Sequence, residues 1–152
     1  IILPAMILIS SGGSFAFGSA KPVPVNPYWL SRPKRDMIWV GLAGPAANIS
    51  LAVALSFVSR FFVLAQHPVL PALINLAILI NLVLAVFNIL PVPPLDGSRV
   101  VMGLLPRDMA RQYAKLESYG FIIIFGLLYL GVIGSVIWPI VMFLAGVLGV
   151  NT

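Results

Sequence analysis

The last third of the chain contains a stretch of 32 residues, Tyr119–Val150, without one charged side chain. A water-soluble domain usually has about 25% charged residues, and at this length it still leaves roughly 30% of its unfolded-chain surface in water. Here 9% of the 152 residues are charged and 61% are hydrophobic. Because such a chain cannot cover its apolar surface in water, the sequence predicts a protein embedded in a lipid bilayer.

Several apolar stretches are candidate membrane spans, since a helix needs about 20 apolar residues to cross a bilayer. Met37–Val63 and Ala72–Leu90 are long enough. Ile1–Phe17 is too short, and we interpret it as the tail of a span or a re-entrant element. The 32-residue stretch is one tilted helix or, as we favour because Gly131, Gly134 and Pro139 interrupt it, a pair of shorter helices. The predicted fold class is therefore all-α, a polytopic transmembrane helical bundle with four or five spans.

Two polar segments carry nearly all of the charge. Ser19–Asp36, predicted to be an irregular loop, has four basic residues and one acidic residue, and Ser98–Ser118 has four basic residues and two acidic residues. The turn between the two middle spans carries only His67. Cytoplasmic loops of membrane proteins are enriched in Lys and Arg, so both basic segments are predicted to face the cytoplasm of a bacterial cell. The net charge of +5 thus indicates topology and not a nucleic-acid partner.

A helix lying on the cytoplasmic leaflet is predicted near residues 99–116. Apolar residues recur there at spacings of three and four, namely Val101, Leu105, Met109, Tyr113 and Leu116. The charged residues of the segment fall largely on the other side. This pattern is typical of an amphipathic interfacial helix.

Asp96 follows a proline-rich turn at the end of the second middle span. Each proline removes a backbone donor and moves the preceding residue toward an extended conformation, so the helix should end just before Asp96. A carboxylate at membrane depth is by default a functional-site candidate. The alternative is that Asp96 only caps a helix that begins near Ser98. Spacing alone leaves both interpretations open.

Asn48 is a second polar residue, inside the first middle span, where Gly44 and Pro45 precede it. Ala43 and Ala47 are four residues apart, as are Gly44 and Asn48, and this spacing suits close helix packing. The amide could serve a reaction, or it could hydrogen-bond a neighbouring helix, as we expect for Asn75 and Asn81. The residues alone favour the packing role, because such bonds between helices are common.

The two stretches together resemble the site-2 protease family of intramembrane zinc metalloproteases. The similar motifs are Gly44-Pro45-x-x-Asn48 and Asn88-x-x-Pro91-x-Pro93-x-Leu95-Asp96-Gly97. The preceding loop, Ala20–Pro27, is similar to a loop of compact bacterial members. The resemblance runs from about Gly18 to Gly120 in consistent order.

The resemblance implies a zinc-dependent endopeptidase that cleaves transmembrane substrates. It assigns zinc coordination to Asp96 and contact with substrate or the oxyanion to Asn48. It also implies that the Lys21–Pro27 loop receives an extended substrate strand. The family's other two zinc ligands come from a His-Glu-x-x-His helix.

This chain departs from the family because it has a single histidine and so lacks that motif. We expect His67, in a turn on the side opposite Asp96, not to be a ligand. Residues 1–152 are interpreted as the C-terminal portion of one membrane-embedded peptidase domain, with the zinc-motif helix upstream. Two alternatives remain: an ion-coupled transporter or channel, in which the broken helix at Asp96 coordinates an ion, and a catalytically inactive membrane scaffold.

Overall fold

The computed structural model describes residues 33–150, and all regular structure in this range is helical. The α-helices are α1 (Pro33–Leu64), α2 (Leu70–Asn88), α3 (Asp96–Leu104), α4 (Arg107–Ala114), α5 (Gly120–Tyr129) and α6 (Trp138–Val147). A 3₁₀-helix, Lys115–Tyr119, joins α4 to α5, and a π-helix, Ile133–Ile137, precedes α6. The predicted all-α class is confirmed for the described residues.

Two of these helices are long and apolar enough to cross a membrane, Lys34–Leu64 with 31 residues and Leu70–Asn88 with 19. At 1.5 Å per residue they are roughly 46 and 28 Å long, against a hydrocarbon core of about 30 Å. They correspond to the predicted spans Met37–Val63 and Ala72–Leu90. The helices are thus confirmed within a few residues at each end.

The 32-residue apolar stretch is broken, as its glycines predicted. Gly131 has a left-handed φ of +70°, and the helical path bends by 69° before Gly134–Val147. α5 and α6 are each about 15 Å long, so neither crosses alone. The described residues therefore hold two candidate spans, or three if the bent pair is one broken span. Four or five spans are not confirmed, and Ile1–Phe17, counted among them, lies outside the described residues.

Two predicted boundaries were wrong. Residues 33–36 belong to the first turn of α1 and not to an irregular loop, because Pro33 has the fixed φ that suits a helix start. Residues 19–32 lie outside the described range. The single interfacial helix predicted near 99–116 is two helices, since Leu105 is extended with ψ 149°. The cause is Pro106, which disfavours helical geometry in the residue before it.

A small core forms where α1, α2 and α6 meet. Ile78, Leu82 and Val141 are its largest fully buried apolar side chains. Large apolar side chains elsewhere point outward, and Phe57 and Phe121 are 65% and 71% exposed. Exposed apolar surface on this scale is typical of helices that face lipid.

Candidate functional site

The turn between α2 and α3 determines where Asp96 lies. After α2 ends, the Val92 N–H donates to the Leu90 carbonyl at 2.8 Å, and the Leu95 N–H donates to the Val92 carbonyl at 2.9 Å. The three prolines of the turn have no N–H, so few backbone donors are left to satisfy there. The Pro93–Pro94 peptide is cis. This proline-rich segment reverses the chain and begins α3 at Asp96.

Residues of α4 and α5 contact the turn and hold it in place. The Tyr113 hydroxyl, on α4, donates to the Pro91 carbonyl at 2.7 Å. The tyrosine hydroxyl is protonated at neutral pH and can donate, and burial raises the pKa of Tyr113 further. Gly120, at the start of α5, is buried so close to the Pro93 carbonyl that a Cβ would collide with it. The turn is therefore clamped between α4 and α5.

Gly97 allows α3 to start directly beneath the end of α2. A Cβ on Gly97 would collide with the carbonyl oxygens of Ile89 and Leu90. Glycine is therefore required by close backbone approach. The Leu-Asp-Gly sequence thus has a structural reason for its last residue, independent of chemistry at Asp96.

Asp96 is the first helical residue of α3, and its carboxylate does not cap the helix. The N-cap position is Leu95, and no side chain makes a capping hydrogen bond there. The Asp96 side chain is 30% exposed, with its Oδ1 3.9 Å from an Arg99 guanidinium nitrogen. The alternative that Asp96 only caps α3 was therefore wrong. The carboxylate keeps oxygen lone pairs that the backbone of α3 does not use.

α1 passes directly beside this carboxylate. A Cβ on Gly44 would lie 2.7 Å from Asp96 Oδ2, and one on Gly41 would lie 2.6 Å from the Asp96 backbone oxygen. Gly41 is thus required by the close approach of the α3 backbone to α1, whereas Gly44 leaves room for the Asp96 side chain. Gly44 was part of the recognised motif, whereas Gly41 was missed. The i, i+3 spacing of the two glycines, which puts them on one helix face, was the signal that could have found it.

Asn48 lies one helical turn beyond Gly44 and therefore on the same face of α1 as the Asp96 contact. Its side chain is half-buried. Asn75 accepts a hydrogen bond from Ser59 of α1 at 2.7 Å, so the expected bond between helices is confirmed there. Asn81 instead donates to the Ala77 carbonyl of its own helix at 2.8 Å, so for that residue the expectation was wrong.

His67 lies in the turn that joins α1 to α2, at the end of α1 far from its glycines. Its Nδ1 accepts a hydrogen bond from the Leu70 N–H at 3.2 Å. The imidazole thus supports the start of α2.

A complete zinc site does not form within the part of the chain that the structure describes. No three His, Cys, Asp or Glu side chains gather in residues 33–150. The whole sequence has one histidine, four carboxylates and no cysteine. A protein zinc site has three or four such ligands, so these residues alone do not fit zinc, and Asp96 could supply only one oxygen ligand.

Comparison with known proteins identifies a family whose profile matches part of the chain. The profile of peptidase family M50 matches residues 63–131, which include α2, the turn and Asp96. YwhC of Bacillus subtilis is 36% identical over 81% of this chain and 59% of its own length. Rip2 of Mycolicibacterium smegmatis is 32% identical over 83% of this chain and 47% of its own length. A protein of Methanocaldococcus jannaschii is 34% identical over 57% of this chain and 24% of its own.

The names of all three relatives contain the words zinc metalloprotease. The chain spans about half the length of the first two. No solved structure matches the chain at a comparable level of significance.

Proposed function

We propose that this chain, which belongs to peptidase family M50, forms part of a zinc-dependent intramembrane endopeptidase with Asp96 as a zinc ligand. One observation carries the assignment. The Asp96 carboxylate is held against the glycine face of α1 by a clamped turn, and it does not cap its own helix. A carboxylate held in this way at the end of an apolar span is by default a functional-site candidate.

The remaining ligands come, on this proposal, from residues of the whole protein outside these 152. The sequence contains no His-Glu-x-x-His motif. YwhC and the Rip2 protein of Mycolicibacterium smegmatis are both longer than this chain. The resemblance to site-2 proteases implies that such a helix supplies two histidines and a glutamate base. Residues 1–152 would then be the C-terminal portion of one peptidase domain, and by themselves they should neither hold stoichiometric zinc nor cleave peptides.

The bound zinc would act as a Lewis acid and lower the pKa of a water molecule. The residues of this chain have positioning and binding roles. Asp96 presents its carboxylate beside Gly44, while Arg99 offsets part of its negative charge. Asn48, on the same face of α1, would donate from its amide to the oxygen on which negative charge develops during peptide hydrolysis.

The substrates are transmembrane proteins, and the protein itself is a multi-pass component of a bacterial cell membrane. The two long apolar helices and the family match support this location. The Lys21–Pro27 loop, outside the described residues, would receive the substrate segment. The segments 19–36 and 98–118 would face the cytoplasm.

Cleavage of a transmembrane reporter by the intact protein tests the proposal. Asp96→Asn keeps the shape of the side chain but removes the charge that stabilises a metal ion. We expect cleavage to be lost while membrane insertion stays normal. Asp108→Asn is the matched control, because Asp108 is 91% exposed on α4, and it should retain activity. Full activity in Asp96→Asn would refute the assignment, and no cleavage even by the wild-type protein would favour the inactive scaffold.

A further inference from the structure

An open groove of about 390 Å³ lies where the start of α1 meets α3 and α4. Its floor is apolar and includes the half-buried Met37, Met102 and Ala110, and its rim carries the exposed Lys34, Arg107 and Arg111. The groove is adjacent to the Asp96 site but does not include Asp96. It combines an apolar surface with three cations at the end of a membrane span.

Lys34 and Arg111 on the rim still have hydrogen-bond donors that can bind an anion. The Lys34 ammonium donates one hydrogen bond, to the Leu105 carbonyl at 2.7 Å, and has two further donors. Arg111 lies 4.0 Å from Asp108, and both side chains are more than four-fifths exposed. An ion pair so exposed to water is weak. The rim therefore carries a net positive charge that the described residues leave largely uncompensated.

Residues 1–32, which precede the described range, add no negative charge that would neutralise this rim. Residues 1–32 contain Lys21 and Arg32 but no Asp or Glu. A second copy of the chain would bring an equally basic rim against the first. The charge of the groove therefore points to an external anion, and its apolar floor points to an amphiphilic one.

We propose that this groove binds one anionic phospholipid, with the headgroup phosphate on the basic rim and an acyl chain along the apolar floor. Lys34 opens the first candidate span, which places the rim at the membrane surface and the floor toward the hydrocarbon. Basic residues beside a span attract anionic headgroups. α4 lies at the same surface as an amphipathic helix. The inference does not depend on protease activity.

Native mass spectrometry of the intact protein in neutral detergent tests this binding. Phosphatidylglycerol and phosphatidylcholine are added separately at equal concentrations. We expect one phosphatidylglycerol to bind preferentially. Arg107→Gln combined with Arg111→Gln should weaken its binding about thirty-fold, because each basic residue near a membrane surface contributes about fivefold. Ala110→Trp should weaken it independently by filling the floor.

Lys115→Gln is the control, because Lys115 is exposed on the same segment but does not line the groove. This change should leave phosphatidylglycerol binding unaltered. Equal binding of the two lipids would overturn the proposal, as would an equal loss in Lys115→Gln and the double arginine variant. Glycerol phosphate competing as strongly as the lipid would show that the floor takes no acyl chain. Preferential binding of an acidic peptide through the same arginines would replace the lipid by a protein partner.

Discussion

At the scale of single residues, Asp96 and Gly44 form the contact on which the site is built. The carboxylate oxygen lies 2.7 Å from the position of a Cβ on Gly44. Because the obstructing atom is the end of a side chain, the helices can keep their packing if the carboxylate moves. A substitution at Gly44 can therefore move the Asp96 carboxylate without lowering the stability of the fold.

Gly44→Ala should lower reporter cleavage by up to about 100-fold, since a displacement near 1 Å of a reacting group has an effect of that order. Stability should not fall, because alanine in a helix interior is favoured over glycine by about 0.5–1 kcal/mol. Ala46→Leu, on the exposed opposite side of α1, is the control and should be silent. The measurements are cleavage rate and thermal unfolding of both variants. Unchanged cleavage in Gly44→Ala would show that the position of the carboxylate is unimportant.

Asn48→Ala distinguishes a catalytic amide from a packing amide. Loss of a donor to a developing oxyanion lowers the rate by about 10²- to 10³-fold. Loss of a packing hydrogen bond between membrane helices has a free-energy cost of about 0.6 kcal/mol and no such rate effect. We expect the first result, measured as cleavage at matched expression. A normal rate with reduced thermal stability would return Asn48 to the packing role.

At the scale of elements, the turn before α3 depends on the helices that follow it. α4 binds the turn through Tyr113, and the first residue of α5 lies against Pro93. The broken C-terminal stretch thus supports the site through its first turn. This coupling makes a distant glycine important for Asp96.

Two glycines of α5 should respond oppositely to the same substitution. Gly120→Ala places a Cβ against the Pro93 backbone, so it should destabilise the turn and reduce cleavage. Gly126→Ala adds a Cβ where nothing lies within 4 Å, so it should be neutral or stabilising by up to about 1 kcal/mol. Thermal unfolding and cleavage of both variants provide the check. Equal behaviour of the pair would mean that α5 does not support the turn.

The sequence predicted elements whose cause is local and missed those whose cause is packing. Length and apolarity located α1 and α2, and the prolines located the turn before Asp96. Pro106 is the local signal for the break within the interfacial segment, but the apolar spacing continues through it and by itself predicts one helix. The role of Gly120 could not be read locally, because it contacts the Pro93 backbone more than 20 residues away.

At the scale of the whole molecule, α1 determines which groups lie on the same side of the membrane. Its length of roughly 48 Å exceeds the hydrocarbon thickness, so in the proposed topology the Lys34 end and the His67 turn lie on opposite sides of the membrane. In that topology α2 returns the chain to the Lys34 side, where α3 and α4 follow. The basic segments are predicted to lie in the cytoplasm.

Single-cysteine labelling can test this topology directly, because the chain contains no cysteine. With an impermeant reagent outside intact cells, His67→Cys should be labelled and Arg107→Cys should not. Permeabilised cells should label both and so control for accessibility. Labelling of only the Arg107→Cys variant from outside would invert the assigned orientation.

The zinc content of the intact protein tests the central claim most directly. The protein is purified from membranes, exchanged into metal-buffered solution and analysed by elemental mass spectrometry. The wild type and Asp108→Asn should each retain about one zinc ion per molecule, the content of a single-metal protease site. Asp96→Asn should lose most of it, because a protein ligand and its charge are removed. Undiminished zinc in Asp96→Asn would contradict the assignment of Asp96 as a metal ligand.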